Sequence, residues 1–442
     1  MKLHVQGRHL ADEQGKLFFY TADTAWELFH KLSVEEAHRF IDDRARKGFN
    51  VIQAVAVAEL DGLHTPAVAN GSVPFSNLDT LTPNEEYFEH VRAVISYANQ
   101  KGVFIALVPM WGSYFVPNPE WGGKVQTIFD AQKAYTFVKY LAKKVRDLDV
   151  IWILGGDRPY LDESAKAVVT GMARAEREIC GHDQLLTSHT QGGRSIWDML
   201  GKEGFLDFIT WQTGHMGQCY PSWRSITLDY ERQELPVLDA EPCYESHPIM
   251  NEHQFTRRDA ASRFTDFNVR RSSWWSVFSG GAGITYGCYA IWQMRNPQDE
   301  TREIPESAAS SYAGDNIPYW YDCLDFPGAF QICRLRRFME ALPHPLDVIP
   351  DQSLILSDNP TGEGHLAAIT NKQHEFIAVY VPCQSHLCID LSIFEGAGFT
   401  IKWFDPRYGI MNFLSKNSSE TKFLNLTSPL DGQDYVLYLT KN

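Results

Sequence analysis

Two short apolar segments of the chain each end abruptly in an acidic residue. Residues 150–156 read VIWILGG and lead to Asp157, and residues 236–240 read PVLDA and lead to Glu241. Segments this short and this rich in β-branched residues favour buried parallel strands over helices. If both strands belong to one (β/α)8 barrel, both acids lie at the rim where such barrels place their active sites. A pair of carboxylates at that rim indicates the chemistry of glycoside hydrolysis.

Each of the two acids has a competing interpretation. Asp157 could instead cap the N-terminus of the next helix, although strand ends are where barrels build their sites. Glu241 precedes Pro242, which keeps Glu241 in an extended conformation on the path of the strand. Asp239 lies two residues before Glu241, so both side chains could point to the same side of the strand. Asp239 would lie deeper in the barrel, which favours a structural role. Glu245 falls in the following loop and could bind substrate; we favour Glu241 over it as the nucleophile.

Polar and aromatic side chains recur at the ends of the other predicted strands. Flat rings together with hydrogen-bonding Asp, Gln and His side chains suit the faces and hydroxyl groups of a sugar. One such residue alone would usually be a core side chain, but their recurrence favours a carbohydrate substrate site. The predicted substrate-binding residues are Asp23, Trp26, Gln53, Trp111, His189, Gln212, His215, Glu245, Tyr286 and Trp292.

Two other functions stay open. His189, His215 and Asp157 could ligate a metal ion, which would make the protein a metal-dependent hydrolase. No HxH or HExxH spacing supports this, so no metal and no other cofactor is predicted. The chain has no GxSxG motif, which disfavours a serine-hydrolase triad. The second alternative is a carbohydrate-binding barrel without catalysis.

Eight strand-like segments alternate with helical ones before residue 343. The predicted helices include residues 33–47, where Ser33 and Glu36 form a capping box, residues 130–147, whose apolar positions recur with helical spacing, and residues 257–278. This alternation predicts a (β/α)8 TIM barrel. A doubly wound sheet is disfavoured because neither GxGxxG nor a P-loop is present. The predicted strands cover residues 17–22, 50–55, 103–108, 150–154, 185–189, 208–212, 237–238 and 283–287.

The pattern changes after a helix near residues 335–342. Short strands then alternate with turns, and helical periodicity is nearly absent. This indicates a small C-terminal antiparallel β-sandwich. We therefore predict a catalytic barrel over residues 1–343 and a β-sandwich over residues 344–442. The predicted sandwich strands are residues 376–381, 387–391, 400–404 and 435–439.

Composition restricts the partners. The 442-residue chain has a formal net charge of −15, which disfavours nucleic acid as a partner. No run approaches the length of about 18 apolar residues that a membrane span needs. The eight cysteines form no CxxC pair. The first residues contain no apolar signal-peptide core, which predicts a cytoplasmic protein as the sequence stands, or a periplasmic one if a signal peptide was removed. The oligomeric state stays open.

Three segments together resemble a known family. Residues 18–28 (FFYTADTAWEL), 152–157 (WILGGD) and 238–245 (LDAEPCYE) are similar to the apiosidase-like glycoside hydrolases of family 140. Residues 403–409 (WFDPRYG) look like part of the collagen-binding type of β-domain that is often appended to these enzymes. The resemblance covers nearly the whole chain.

The resemblance implies a barrel similar to clan A, with the acid/base after the fourth strand and the nucleophile after the seventh. These roles fall on Asp157 and Glu241. Where clan A enzymes usually carry Asn-Glu after the fourth strand, this chain has Gly156-Asp157, as family 140 does. Relatives act on apiose linkages in pectic rhamnogalacturonan-II. The resemblance thus implies a retaining glycosidase, an apiosidase, for a plant-type pectic polysaccharide or oligosaccharide.

Overall fold

The computed structural model describes residues 1–117, 127–250, 262–300, 317–417 and 421–442. Within these ranges, no helix combines the length and apolar character needed to cross a membrane.

Eight parallel strands form the wall of a (β/α)8 barrel. Neighbouring strands pair in the order β6-β7-β8-β1-β2-β3-β4-β5, as expected for a barrel in which each strand follows the previous one around the axis. The predicted barrel class is confirmed. The strands are β1 (Tyr20–Thr24), β2 (Val51–Val55), β3 (Phe104–Val108), β4 (Val150–Leu154), β5 (Leu186–Ser188), β6 (Ile209–Gln212), β7 (Val237–Asp239) and β8 (Gly281–Tyr286).

Threonine side chains join β5 to β6, the two ends of this strand order. The hydroxyl of Thr187 donates to the carbonyl oxygen of Phe208 at 2.7 Å, and the hydroxyl of Thr210 donates to that of Ser188. These bonds supply the partners that a regular strand ladder would otherwise provide. The strand ends therefore form one continuous rim.

A helix follows each barrel strand. The capping box predicted at the start of α1 is confirmed: Ser33 accepts from the N–H of Glu36, and Glu36 accepts from that of Ser33. The helix predicted over residues 257–278 begins only at Asp266, and residues 257–261 lie outside the described residues. The helices are α1 (Val34–Lys47), α2 (Glu85–Gln100), α3 (Ala131–Val145), α4 (Glu163–Cys180), α5 (Trp197–Leu200), α6 (Ser222–Arg232), α7 (Asp266–Phe278) and α8 (Pro327–Glu340).

The late start of α7 has a local cause. Thr265 is extended, and its backbone N–H donates to the side-chain oxygen of Asn268 at 2.8 Å. This caps the first turn at Thr265, so residues 262–265 lie outside the helix.

Several short elements decorate the barrel. An N-terminal hairpin and a second small ladder were not predicted, because two- to four-residue strands give no clear periodicity. They are Leu3–Gln6 with His9–Asp12, Phe75–Asn77 with Thr82–Pro83, a two-residue strand Arg194–Ser195 beside β6, and single helical turns at Leu28–Lys31 and Tyr289–Trp292.

The C-terminal residues form an antiparallel β-sandwich, as predicted. Six strands pair in the order β9-β10-β11-β16-β13-β14, and β12 pairs with β15. An apolar core that includes Ile377, Leu387 and Leu437 fills the space between these sheets. The domain boundary between residues 343 and 344 stays a prediction. The strands are β9 (Val348–Pro350), β10 (Ala367–Asn371), β11 (Phe376–Val381), β12 (His386–Asp390), β13 (Phe399–Asp405), β14 (Ile410–Asn417), β15 (Phe423–Thr427) and β16 (Tyr435–Lys441).

Helix α7 carries the contact between barrel and sandwich. Trp274 stacks on Tyr380 with ring centroids 5.7 Å apart. Arg270 donates to both carboxylate oxygens of Asp434, at 2.8 and 2.6 Å, and all four of these side chains are buried. The sandwich therefore shares part of its core with the barrel at α7.

Candidate active site

The turn after β4 has a backbone that presents Asp157 at the rim. Gly155 and Asp157 both have positive φ, at +74° and +46°. A Cβ atom on Gly156 would lie 2.5 Å from the Trp111 ring, so only glycine fits there. A non-glycine residue held at positive φ is strained, and such strain is concentrated at functional sites.

Two histidines hold the carboxylate of Glu241 after β7. Nε2 of His189 lies 3.0 Å from Oε2, and Nε2 of His215 lies 3.2 Å from Oε1. The other ring nitrogen of His189 lies 2.7 Å from the carbonyl oxygen of Thr190. The groups that face the two ring nitrogens of His189 are thus both hydrogen-bond acceptors. His189 satisfies them together only as a doubly protonated imidazolium, which is an ion pair with Glu241.

The two acids have opposite electrostatic environments. Burial raises the pKa of Asp157, and repulsion from Glu241 raises it further. Burial also acts to raise the pKa of Glu241, but the hydrogen bonds from His189 and His215 outweigh it and lower that pKa. Asp157 is therefore the group that holds a proton, and Glu241 is the ionised one. Two carboxyl groups with pKa values pushed apart can divide the roles of acid and nucleophile.

Several polar atoms around these carboxyl groups have no partner. Nε1 of Trp111, Oδ1 of Asp157, Oε1 of Gln212 and Nδ1 of His215 are buried and form no hydrogen bond among the described residues. The Gln212 side chain lies beside Asp157 and acts to lower the pKa of that carboxyl. Buried polar atoms without partners are costly, and at a strand-end rim they are the groups that a polar ligand would satisfy.

Two predicted aromatic residues line the floor of the site. The rings of Trp26 and Trp111 pack 5.3 Å apart, and each contacts the ring of His189. Both tryptophans are only 2 % exposed. Their main effect on the site is thus to fix the ring of His189. Trp292, 7 % exposed, lies on the helical turn after β8.

Asp23 and Gln53 lie within the barrel wall. Asp23 is fully buried and forms an ion pair with Arg44 of α1. The side-chain amide of Gln53 donates to the hydroxyl of Thr285 at 2.8 Å and to the carbonyl oxygen of Ala240 at 3.3 Å. Asp23 therefore joins β1 to α1, whereas Gln53 supports the chain one residue from Glu241.

Glu245 belongs to a separate group. Its carboxylate accepts from the Tyr286 hydroxyl at 2.6 Å and from the N–H of Gly328 in the first turn of α8 at 3.1 Å. Burial raises the pKa of Glu245 to about 7. Asp239 accepts from Thr213 and Ser276 in the wall, which agrees with a structural role. The structure thus brings Glu241, rather than Glu245 or Asp239, together with Asp157.

Sequence reasoning missed two residues that the structure places at the site. Tyr244 lies beside Glu241, and its ring packs 4.6 Å from that of His215. Glu59, in the loop after β2, interacts electrostatically with both Asp157 and Glu241. In the sequence, Glu59 follows the mostly apolar run VIQAVAVA (residues 51–58) much as Asp157 follows β4, which was an available signal. His189 and His215 face Glu241, and the described residues contain no group of three or more His, Cys, Asp or Glu that could hold a metal ion.

Comparison with solved structures agrees with this architecture. A glycoside hydrolase matches with a TM-score of 0.85 and 24% identity, covering 100% of this chain and 97% of the other. A glycoside hydrolase family 5 structure from Bacteroides vulgatus matches equally well, at 0.85 and 24%, covering 100% of this chain and 93% of that chain. No curated protein sequence matches the chain.

The fold and the pair of rim carboxylates define a barrel glycoside hydrolase, and the protein is a glycosidase. The sequence profile described as "Apiosidase-like, catalytic domain" matches residues 4–345, so the chain belongs to the apiosidase-like family. A second profile, "Putative collagen-binding domain of a collagenase", matches residues 349–440.

Proposed function

We propose that this glycosidase cleaves an apiose linkage in a pectic polysaccharide or oligosaccharide with retention of anomeric configuration. Asp157 is the acid/base and Glu241 the nucleophile. The observation that carries the proposal is a pair of carboxyl groups at the ends of β4 and β7 in which Glu241 is held between His189 and His215. The opposite shifts of the two pKa values agree with it. The sugar itself is inferred from the family alone, and location in the cytoplasm or periplasm stays a prediction.

In the first step, the carboxyl group of Asp157 donates its proton to the leaving glycosidic oxygen. Glu241 attacks the anomeric carbon, the carbon–oxygen bond breaks, and a glycosyl ester forms on Glu241. Within the described part of the chain, each oxygen of Glu241 accepts one histidine hydrogen bond. Each oxygen therefore keeps a lone pair, so attack does not require either histidine to leave.

In the second step, Asp157 acts as the base. Once Glu241 is esterified, its negative charge is gone, and the repulsion that raised the pKa of Asp157 disappears with it. Asp157 then remains ionised and removes a proton from water, which attacks the anomeric carbon and releases Glu241. The same pair of groups thus supplies an acid first and a base second.

The test uses apiose-containing oligosaccharides from rhamnogalacturonan-II, with the products followed by NMR. We expect the wild type to release apiose whose first-formed anomer keeps the substrate configuration. Glu241→Gln should lower kcat by a factor on the order of a thousand or more, because it removes the nucleophile. Glu363→Gln is the matched control, since that side chain is 67% exposed on the β-sandwich.

Other outcomes would contradict parts of the proposal. An inverted product would rule out the retaining mechanism, and activity that survives Glu241→Gln would place the nucleophile elsewhere. Activity abolished by a chelator and restored by a metal ion would favour the metal-dependent alternative. Binding of these oligosaccharides without turnover would favour a carbohydrate-binding role.

A further inference from the structure

We infer that Glu59 is a further substrate-binding residue of this active site and that its carboxyl group hydrogen-bonds a sugar hydroxyl next to the scissile bond. The inference rests on the proposed function, because it takes Asp157 and Glu241 as the reacting pair. Four sets of observations support it: how the loop is held, what the side chain lacks, which charges surround it, and which polar atoms lie near it.

The backbone on both sides of Glu59 is held in place. The hydroxyl of Tyr114 donates to the carbonyl oxygen of Ala58 at 2.7 Å. The N–H of Leu60 donates to a buried carboxylate oxygen of Glu27 at 3.0 Å. Further back in the loop, the carbonyl oxygen of Val57 accepts from the N–H of Trp111 at 3.1 Å. Glu59 therefore lies at a fixed position in the rim, as a preorganised binding group must.

The side chain of Glu59 contributes nothing to this framework. It is half-buried, yet it forms no hydrogen bond or ion pair among the described residues. The contacts of the loop described above use backbone groups or other side chains. A carboxyl group taken partly out of water without a partner costs free energy. Folding alone gives no reason for an acidic residue at this position.

The charged groups that face Glu59 are mostly acidic. Burial raises its pKa to about 8, and Asp157, Glu27 and Glu241 act in the same direction, while Arg158 opposes them. These effects favour the protonated form of Glu59. A protonated carboxyl group both donates and accepts, which matches a sugar hydroxyl that does the same.

The polar atoms without partners lie in the same region of the rim. Trp111, which bonds the Glu59 loop through its backbone, has a free indole N–H, and Asp157 has a free Oδ1 among the described residues. These free groups come from the ends of β3 and β4, next to the loop after β2. One polar ligand that reaches Asp157 can therefore satisfy them together with Glu59.

Kinetics of Glu59 variants on the rhamnogalacturonan-II oligosaccharides test the inference. We expect Glu59→Ala to lower kcat/KM about ten- to thirtyfold, the effect of losing one hydrogen bond to substrate, and Glu59→Gln to retain most activity. Asp61→Asn, in the same loop, is the control. In the wild type, both Asp157 and Glu59 lose a proton on the alkaline limb of the kcat/KM profile. This limb should become shallower in Glu59→Gln, because the ionisation of Glu59 is removed.

Thermal unfolding of the protein without substrate distinguishes a substrate-binding role of Glu59 from a structural one. The folded-state pKa of Glu59 is raised, so its presence lowers stability increasingly as pH rises above the unfolded value of about 4.3 towards about 8. We therefore expect Glu59→Gln to raise Tm near pH 8 and to leave it unchanged near pH 4. A structural role predicts the opposite sign.

Two results would overturn the inference. One is kcat/KM within twofold of wild type in Glu59→Ala, and the other is a lowered Tm in Glu59→Gln near pH 8. Glu241→Gln, measured in parallel, separates this from the proposed function. If Glu241→Gln is inactive while Glu59→Ala is fully active, only the inference about Glu59 fails. If Glu241→Gln is active, the proposed mechanism fails.

Discussion

The imidazole of His189 lies between two acceptors, the carboxylate of Glu241 at 3.0 Å and the carbonyl oxygen of Thr190 at 2.7 Å. This fixes His189 as a cation and Glu241 as its counter-ion. Burial acts to lower the pKa of the His189 imidazole, but Glu241, Asp157 and the Thr190 carbonyl together outweigh burial, so the net shift is upward. The charge state of the site therefore depends on a residue that takes no part in bond breaking.

Replacing His189 should move the acid limb of the pH profile. In His189→Gln the cation is lost, burial then dominates, and the pKa of Glu241 rises. Since the nucleophile must be ionised, the acid limb of kcat/KM should shift to higher pH, with a loss of about tenfold or more near pH 5. His344→Gln, at an exposed position, should leave the profile unchanged. An unmoved acid limb in His189→Gln would contradict this account.

The two glutamates of the β7 loop should behave differently on replacement. Glu245 accepts from Tyr286 and Gly328 rather than from the histidines of the site. We expect Glu245→Gln to keep kcat within about tenfold of wild type, whereas Glu241→Gln loses it. Parallel kcat measurements on one oligosaccharide check this. Complete inactivation of Glu245→Gln in a folded protein would reopen the assignment of the nucleophile.

A single methyl group at Gly156 should disturb the site. The added Cβ would lie 2.5 Å from the Trp111 ring, which in turn packs against His189. We expect Gly156→Ala to lower both Tm and kcat, since overpacking costs about 1–3 kcal/mol and shifts the neighbours. Gly362→Ala is the control, because nothing lies within 4 Å of its added Cβ. Equal Tm values for the two variants would show that Trp111 can move away freely.

The buried ion pair between barrel and sandwich should make their unfolding one event. Asp434→Ala would remove the fully buried partner of Arg270 and leave Asp266, a more exposed carboxylate at 3.1 Å, to balance its charge, at a cost of up to about 3–5 kcal/mol. We expect a clearly lower Tm, measured by calorimetry, and partial recovery in the double variant Arg270→Met/Asp434→Leu. Two separate unfolding transitions in the wild type would instead show that the sandwich is stabilised independently.

Much of the fold was predictable because it depends on local patterns. Apolar runs such as residues 150–154 have one assignment that fits their length and composition, and eight of them in alternation with helices specify a barrel. Ser33 and Glu36 predicted the start of α1 because a capping box uses only residues three apart. The start of α7 was placed too early because helical periodicity does not show at which residue a helix begins.

The candidate site was predictable in part. Asp157 and Glu241 stood out because each directly follows a strand, and strand ends meet at one rim. Glu59 also follows a mostly apolar run, but it was overlooked because the loop after β2 carries several other acidic and polar residues. Trp26 and Trp111 were expected to contact sugar, and the structure shows them nearly buried against His189. Exposure depends on the whole packing arrangement, which periodicity does not report.

The barrel strands, their order and the two acids that share one end of the barrel could all be read from the chain alone. Those features follow from apolar periodicity and from the fixed relation between strand direction and the rim. The charge states could not be read from the chain. In the structure, Glu241 is ionised between His189 and His215 while Asp157 holds a proton. The pKa of each acid depends on burial and on neighbours far away in the chain; for Glu241 these are His215 and His189, 26 and 52 residues away. Electrostatic interactions depend on distance in space, which the sequence does not report.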